Sequence, residues 1–455
     1  MRTILLSLCI ALLAGIPRVA SAQNTIKVFD TLLFFDGYAS KVATPTPPAG
    51  VIRHRNDLYA RMLTAQELQS IGNKLTMNVT IKASCDNYDR IGNVNLALVP
   101  KGASSYVPDS VQRIEIGRYI TPFMNKNVQP NQVPYTYAVD NVAELLKETS
   151  LTTNYDIWIE LEVFGVPYAA NTQVAGCAGR NDVFYGSLEF VTAAPAAPQS
   201  NNVLIPLSFK KDLNNYQAKA TDTLGKTTRT IQFNIPTDLS DAALFLITSN
   251  HGANNGGEEY NRRDHYVFFD NNLVRAYKPG STTCEPLRMY NTQGNGIYGA
   301  SPRSDAQWQS FSNWCPGDTI PIRRINLGAL SSGAHSFMIT VPDAVFIDAQ
   351  GYFPVSLYLQ GKTSGKLAVG QRSFNDPAVS VYPNPSTGMV TIEHTGAARM
   401  MEITVLNGIG QSVYHLNDVR SNLKTLDLGD LGTGLYIVHI RTDKGTVTQK
   451  LQIVK

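Results

Sequence analysis

The sequence predicts an all-β protein, built as two adjacent jelly-roll β-sandwich domains plus a small C-terminal β-sandwich. Three observations predict it. Apolar residues recur at every second position along most of the chain, helix signals are few, and proline-rich breaks divide the chain into successive stretches of this kind. Period-two alternation marks a strand with one buried face, and many short strands joined by polar turns mark sandwiches and jelly rolls.

Taken in order, the chain opens with Arg2, an apolar run from Ile4 to Ile16, and Ala20-Ser21-Ala22. Together these read as a signal peptide over residues 1–22, with Gln23 as the mature start. The run is too short to span a membrane and no later stretch is long and apolar enough, so a soluble exported protein without a membrane span is expected. Residues 23–195 form the first expected domain. Its clearest strand is 74–83, where Leu75, Met77, Val79 and Ile81 fall on one face and Thr76, Asn78, Thr80 and Lys82 on the other. Further strands are expected at 93–99 and 157–164, and prolines at 45–48 mark a stiff loop. A short helix is expected at 141–148, capped by Asp140, with Val142, Leu145 and Leu146 on one face. The Pro/Ala-rich segment 193–202 leads into the second domain, residues 200–368, with strands at 203–209, 243–248, 266–269, 336–341 and 355–359. A second break near 372–377 precedes the third unit, residues 378–455.

Composition narrows the function. The chain has 455 residues, 43% hydrophobic and 16% charged, which suits folded β-rich protein and not a disordered one. A formal charge of +3, with no Lys/Arg block, gives no reason to expect a nucleic-acid partner. Cys9 leaves with the signal, so Cys85, Cys177, Cys284 and Cys315 remain. An even count in an exported protein favours two disulfides, for which three pairings exist. Cys284–Cys315 is the favoured pair, which leaves Cys85–Cys177 by elimination. No C-x-x-C spacing suggests zinc or redox chemistry.

The third unit opens with VYPNPSTGMVTIE (residues 381–393) and closes with GLYIVHI and TQKLQIVK, with turns expected at Asn384-Pro385 and 443–445. It holds no cysteine and no cluster of catalytic side chains. Its Y-P-N-P-x-x-G opening and G-x-Y-x-x-x-I ending resemble the type A sorting domains that Bacteroidota use for type IX secretion. That resemblance implies the secretion machinery as a partner. It also implies passage through the periplasm and a final place at the outer-membrane surface or outside the cell.

Four places could carry chemistry. In the strand around 155–164, Asp156, Trp158, Glu160 and Glu162 share one face, although a solvated sheet face is the plainer reading of that strand alone. Cys85-Asp86-Asn87-Tyr88-Asp89-Arg90 sets an acid between an aromatic and an arginine beside a cysteine, and could equally be a turn with a salt bridge. The Gly/Asn-rich loop 250–264 carries Glu258 and Glu259, as a binding loop or a polar surface loop would. Trp308 and Trp314 flank Asn313-Trp314-Cys315-Pro316-Gly317, where tryptophans stack on sugars or, more often, fill a core.

These segments resemble, in order, the peptide-N-glycosidase F family of bacterial peptide-N4-(N-acetyl-β-glucosaminyl)asparagine amidases. NTIKVFD (residues 24–30) is similar to the family's opening strand. CDNYDR (residues 85–90) resembles its C-D-x-W-D-R, IGRYITPF (residues 116–123) its I-G-R-F-I-T-P-Y, and NWCPG (residues 313–317) its W-C-P-G. The resemblance spans roughly residues 24–365. It implies two jelly rolls with acids in the cleft between them, and the catalytic residues carried over are Asp89, Glu259 and Glu160, the last on the family's glutamate facing the second domain. Substrate-binding roles fall to Arg90, Tyr88, Trp158, His251, Glu258 and Trp314, and the neighbouring Glu258 leaves the Glu259 assignment open by one position. The sequence departs from the family at Tyr88, which replaces a tryptophan, and at Gly257 and Asn261, which replace two loop cysteines. An arginine before W-C-P-G has no counterpart, since Phe311 and Ser312 stand there.

The implied reaction hydrolyses the glycan–asparagine amide of N-glycoproteins or N-glycopeptides, leaving aspartate and releasing a glycosylamine. No metal or other cofactor is implied, and a monomer is expected. Like charges in one cleft cannot all ionise cheaply, so one carboxyl stays protonated near neutral pH. Asp89 is the expected acid/base, with Glu259 polarising the amide or binding the first sugar and Glu160 tuning it through water. The alternative is a secreted glycan-binding or adhesive surface protein that kept the fold without catalysis. A glycosidase cutting between the two core sugars is a third reading. Copper chemistry is disfavoured, because the two halves hold only His54, His251, His265 and His335, with no paired spacing.

Overall fold

In the computed structural model, residues 23–455 are described, except 196, 253–256, 311–312, 364–378, 396–398, 409 and 443–444. The signal segment, the break at 372–377 and most of the expected turn at 443–445 therefore lie outside the described residues. Among the described residues, six antiparallel sheets enclose three main apolar cores.

The first core is built between a four-stranded and a six-stranded sheet. The former orders Gln23–Phe35, Asp182–Pro195, Gly72–Ala83 and Gln132–Ala138 side by side. In Gly72–Ala83 the alternation appears as predicted: Leu75, Met77, Val79 and Ile81 are buried and their neighbours are not. The six-stranded sheet runs Thr319–Ile320, Gln112–Ile120, Ile91–Pro100, Tyr155–Val163, Leu58–Met62, Val51–Arg55. Both faces of Tyr155–Val163 are buried, so the solvated face does not exist: Trp158, Glu160 and Glu162 are covered. The expected helix forms over Asp140–Leu146, but Asp140 does not cap it. Val139 holds that position, and the Asp140 carboxylate instead accepts from the Leu75 amide at 3.0 Å and the Lys74 ammonium at 2.6 Å, docking the helix on the neighbouring strand.

The second core lies between Asn202–Leu213, Phe353–Thr363, Leu239–Ile247, Arg323–Leu330 on one side and Thr228–Ile235, Gly333–Thr340, His265–Phe269, Asn272–Tyr277 on the other. Strands run into both ends of the Pro/Ala-rich segment, as far as Pro195 and from Asn202 on, so the link is shorter than the composition suggests. It is also tied down: the Asn202 amide donates to Glu148 at 2.8 Å.

The two sandwiches are joined, not merely tethered. Thr319–Ile320, from the second half of the chain, pairs with the edge of the first sandwich at Tyr119 and Arg118. Ala243, Phe245 and Tyr358 pack into the first core, with the last two rings stacked at 4.9 Å. At the centre sits Arg118, fully buried. Its Nε and Nη2 each donate to Glu115 at 2.7 Å, while Nη1 crosses to Ser249 Oγ at 2.9 Å and the Pro354 carbonyl at 2.8 Å. Ser356 donates back to Glu115. The third sandwich has its own core of Val390, Ile392, Ile403, Val405, Val438 and Ile440 among others. Asn384 closes its first turn by accepting from the Gln452 amide at 2.9 Å.

Both favoured disulfides form: Cys85–Cys177, 92 residues apart, and Cys284–Cys315, 31 apart. The longer loop constrains the unfolded chain more. Replacing Cys85 and Cys177 together by serine is expected to lower stability by about 4 kcal/mol. A denaturant midpoint unmoved from that of the native chain would count against this.

Candidate functional site

The segment after Gly72–Ala83 is anchored by Cys85 and shaped by Asp86. The Asp86 carboxylate is fully buried and accepts from the amides of Tyr88 at 2.9 Å and Val166 at 2.7 Å, and from Arg90 Nε at 2.7 Å. Thr121 fastens the far end, accepting from the Arg90 amide at 2.8 Å and donating to the Tyr88 carbonyl at 3.1 Å. With its neighbours committed, Asp89 turns to a cavity of about 350 Å³, lined by Tyr88, Asp89, Arg90 and Phe123 from the first sandwich and Glu259, Tyr260, Asn295 and Ile297 from the second half of the chain. Asp89 Oδ2 is shielded and has no hydrogen-bond partner.

Glu259 arrives on the one-turn 3-10 helix Glu258–Tyr260. The amide of Gly252 donates to its Oε2 at 3.1 Å, and the Tyr260 side chain also bonds to it. Gly252 is needed where it stands: its φ is +131°, and a Cβ there would lie 2.7 Å from Gly351 Cα. Asn313 bonds the Glu259 carbonyl at 2.6 Å and receives the Asn250 amide at 3.0 Å, which ties the N-W-C-P-G segment to the glutamate loop.

Burial pushes the Asp89 carboxyl well above its ordinary value, and the nearby Glu259 pushes it further, with Arg90 opposing. Glu259 is raised as well, chiefly by burial, against the pull of the Gly252 amide, Tyr260 and Arg90. Two acids facing one small space resist ionising together, so a proton is held in the cavity above the usual carboxylate range.

Of the residues singled out from the sequence, the structure brings Asp89, Glu259, Arg90 and Tyr88 to one cavity and leaves the others elsewhere. Glu160 does not line the cavity. Its fully buried carboxylate is used up within the first sandwich, by Asn95 at 3.0 Å, Tyr106 at 2.8 Å and Arg113 at 3.4 Å. The glutamate on that strand which does meet the second sandwich is Glu162, held by Lys210 and, at 2.9 Å, by Arg55. Burial would raise it, but those cations outweigh burial and hold it below its ordinary value. Trp158 is buried against Ala60, Ala97, Val99 and the Tyr106 ring, 5.4 Å away, as core. Glu258 points away from Glu259 and is fully buried. Arg263 grips it through Nε at 2.9 Å and Nη2 at 2.8 Å, and the Val345 amide donates to it at 2.6 Å, while Glu259 lines the cavity. Trp314 is core at the seam, with Ile120, Ile247 and Ile320, and donates to the Asn250 carbonyl at 3.0 Å. His251 lies between the Trp314 and Tyr352 rings, with Nε2 bonded to Ser249 at 2.7 Å, outside the cavity lining.

The lining also includes residues that the sequence did not single out. Phe123 ends the I-G-R-Y-I-T-P-F motif and Tyr260 adjoins Glu259, so both were within reach of the motifs. Asn295 and Ile297 lie in a glycine-rich loop with no periodicity to flag them. Among the described residues no three His, Cys, Asp or Glu side chains converge as a metal site requires.

Burial, aided by Arg118, depresses His251 to about 3, and burial depresses His265 to about 4. Unfolded, each titrates near 6.5, so the unfolded chain binds more protons between these values. Stability conferred by burying them neutral is present above pH 6.5 and lost as pH falls below it. Lowering the pH from 7 to 5 is expected to cost roughly 2 kcal/mol per histidine. Denaturant midpoints at the two pH values, for the native chain and a His265→Gln variant, test this; equal pH dependence in both would refute the assignment for His265.

Fold and site together define a class: a protein of two fused β-sandwiches with one carboxyl from each half facing a shared cavity. Residues 25–178 match the family described as peptide-N-glycosidase F, N terminal, and residues 216–360 its C-terminal counterpart. The chain belongs to the peptide-N-glycosidase F family. Residues 380–454 match a secretion system C-terminal sorting domain, which addresses the chain by type IX secretion to the cell surface or beyond it. Among solved structures, PNGF-II in one crystal form has 21% identity and a TM-score of 0.55, with 75% of this chain and 66% of that chain covered. In a second form the values are 20%, 0.53, 76% and 66%. The chain thus spans just under two thirds of PNGF-II, and at this identity the likeness speaks to the fold. PNGase F, a glycosylasparaginase from Flavobacterium meningosepticum, has 15% identity and a TM-score of 0.46 over 76% of this chain and 97% of that one. No curated protein sequence matches the chain.

Proposed function

We propose that this protein hydrolyses the amide bond between an N-linked glycan and asparagine in glycoproteins or glycopeptides. The observation that carries the reading is the meeting of Asp89 and Glu259, from different sandwiches, in one shielded cavity where both carboxyls are pushed up. Family membership supports the same reaction class. Amide hydrolysis needs a base for water and an acid for the departing nitrogen, and carboxyls tuned upward can serve both ends near neutral pH. Asp89, with one oxygen unpartnered, takes the proton from water as its oxygen adds to the side-chain carbonyl carbon. As the carbon–nitrogen bond breaks, the nitrogen takes the proton that Asp89 received from water and leaves as the glycosylamine, which a second water hydrolyses in solution to free glycan and ammonia. The former asparagine becomes aspartate. Glu259, fixed by the Gly252 amide, polarises the amide or holds the first sugar, and Tyr88 offers a half-exposed ring beside it. Arg90, braced on Asp86, keeps positive charge at the cavity wall.

The test is a denatured N-glycoprotein incubated with the protein in oxygen-18 water, read by mass spectrometry at the glycosylation site. Labelled aspartate supports the amidase. A single sugar left on asparagine means a glycosidase, and untouched glycopeptide across several glycan types means a binding protein.

A further inference from the structure

We propose that Arg118, Ser249 and His251 form a buried relay that positions Glu259 for the reaction, a role that rests on the amidase reading above. The relay starts in the first sandwich and ends at a backbone amide in the second. Arg118 Nη1 donates to Ser249 Oγ at 2.9 Å, and Ser249 Oγ meets His251 Nε2 at 2.7 Å. An arginine can only donate, so the serine oxygen receives it and the hydroxyl hydrogen is free for Nε2. With either imidazole tautomer, the serine hydroxyl links the guanidinium to the ring.

The ring is held on its other sides too, by Trp314 at 6.2 Å and Tyr352 at 5.8 Å between centroids. The backbone of His251 exchanges both hydrogen bonds with Tyr352, each at 3.0 Å. The next residue, Gly252, is pressed against Gly351, and the Gly252 amide donates to Glu259 Oε2 at 3.1 Å. A carboxylate held by one backbone amide and one tyrosine is placed only as well as that backbone is placed. Here the backbone is keyed to Arg118, and Arg118 lies on the strand whose continuation, Thr121, clamps the Asp89 segment. The relay therefore sets the position of Glu259 relative to Asp89, although none of its three side chains lines the cavity. They are positioning residues, and a small misplacement of a reacting group is costly in rate.

Ser249→Ala cuts the relay at its centre and removes a single oxygen, and Ser249→Thr restores the hydroxyl. The alanine variant should lower kcat ten- to a hundred-fold with KM within about three-fold, and displace the pH profile of kcat, because Glu259 loses its setting. The threonine variant should recover most of the loss. Unaltered kcat and pH profile in Ser249→Ala would overturn the relay, as would a loss confined to KM. The Gly252 amide, followed by nuclear magnetic resonance in the intact chain, reads the relay without turnover: a displaced resonance in Ser249→Ala supports it, and an unmoved one overturns it. If even the native chain releases no glycan, the amidase reading fails, and the amide resonance still decides the relay.

Discussion

Replacing Asp89 with asparagine is expected to reduce glycan release by 10²- to 10⁴-fold or more, the range in which a positioned acid/base acts. The substitution keeps the shape of the side chain and removes its proton chemistry. Its second expected effect runs the other way. Burial and Glu259 raise the Asp89 carboxyl in the folded chain, while the unfolded chain ionises near 3.8. As pH rises past that unfolded value, the unfolded chain gives up its proton first, and folding loses stability up to the raised folded value. Below both values the two states are equally protonated and the residue contributes nothing. Asp89→Asn should therefore stabilise the protein at pH 7 and leave it unchanged at pH 3. Activity and denaturant midpoint measured on one variant test both effects. A variant that is inactive and destabilised at neutral pH would mean that Asp89 is a structural residue.

Arg118→Met is expected to cost roughly 3–5 kcal/mol, the cost of leaving a buried charge without its partner. The arginine is fully enclosed, and so is Glu115, which accepts from it twice. Removing the guanidinium strands that carboxylate and deletes the bonds to Ser249 and Pro354 that cross between the sandwiches. Because the bonds lie at the seam, the loss should show as separate unfolding of the two sandwiches, which are expected to unfold together in the native chain. A paired Arg118→Met, Glu115→Leu variant should recover part of the stability, since no charge is then left buried. A single variant as stable as the native chain would show that the seam is held by its apolar contacts.

The fold was legible because strands write themselves in period two, and Leu75 to Ile81 or Ile157 to Val163 can be read that way. The acids of the cavity were legible through the family resemblance, since local context alone left Asp89 in a plausible turn and Glu259, beside Glu258, in a plausible surface loop. What period two cannot say is which of two same-face residues lies nearer a site. Glu160 and Glu162 are equivalent to the alternation, and only register separates them, with Glu162 opposite Asn93 and Glu160 opposite Asn95, farther from Asp89. Nor does a strand pattern show that a charged face is covered. Tyr106, Arg113 and Lys210 come from distant parts of the chain to neutralise it. His251 and Trp314, expected to bind substrate, lie outside the cavity lining, since an aromatic beside a motif looks the same whether it touches a ligand or supports the residue that does. Asp140 failed as a cap for a similar reason: a donor from another strand, Leu75, claimed its carboxylate.

The Cys85–Cys177 bond is anchored four positions before Asp89. It ties the posture of that acid to the oxidation state of its surroundings. Reducing agents in the cytoplasm keep such bonds open, whereas the compartments beyond the inner membrane let them close. A newly made chain therefore carries Asp89, the proposed acid, on a segment without its disulfide while it is still at home. On the proposed function, competence becomes a matter of geography: the covalent brace beside the cavity closes only after departure, and the cell's own interior is spared the finished article.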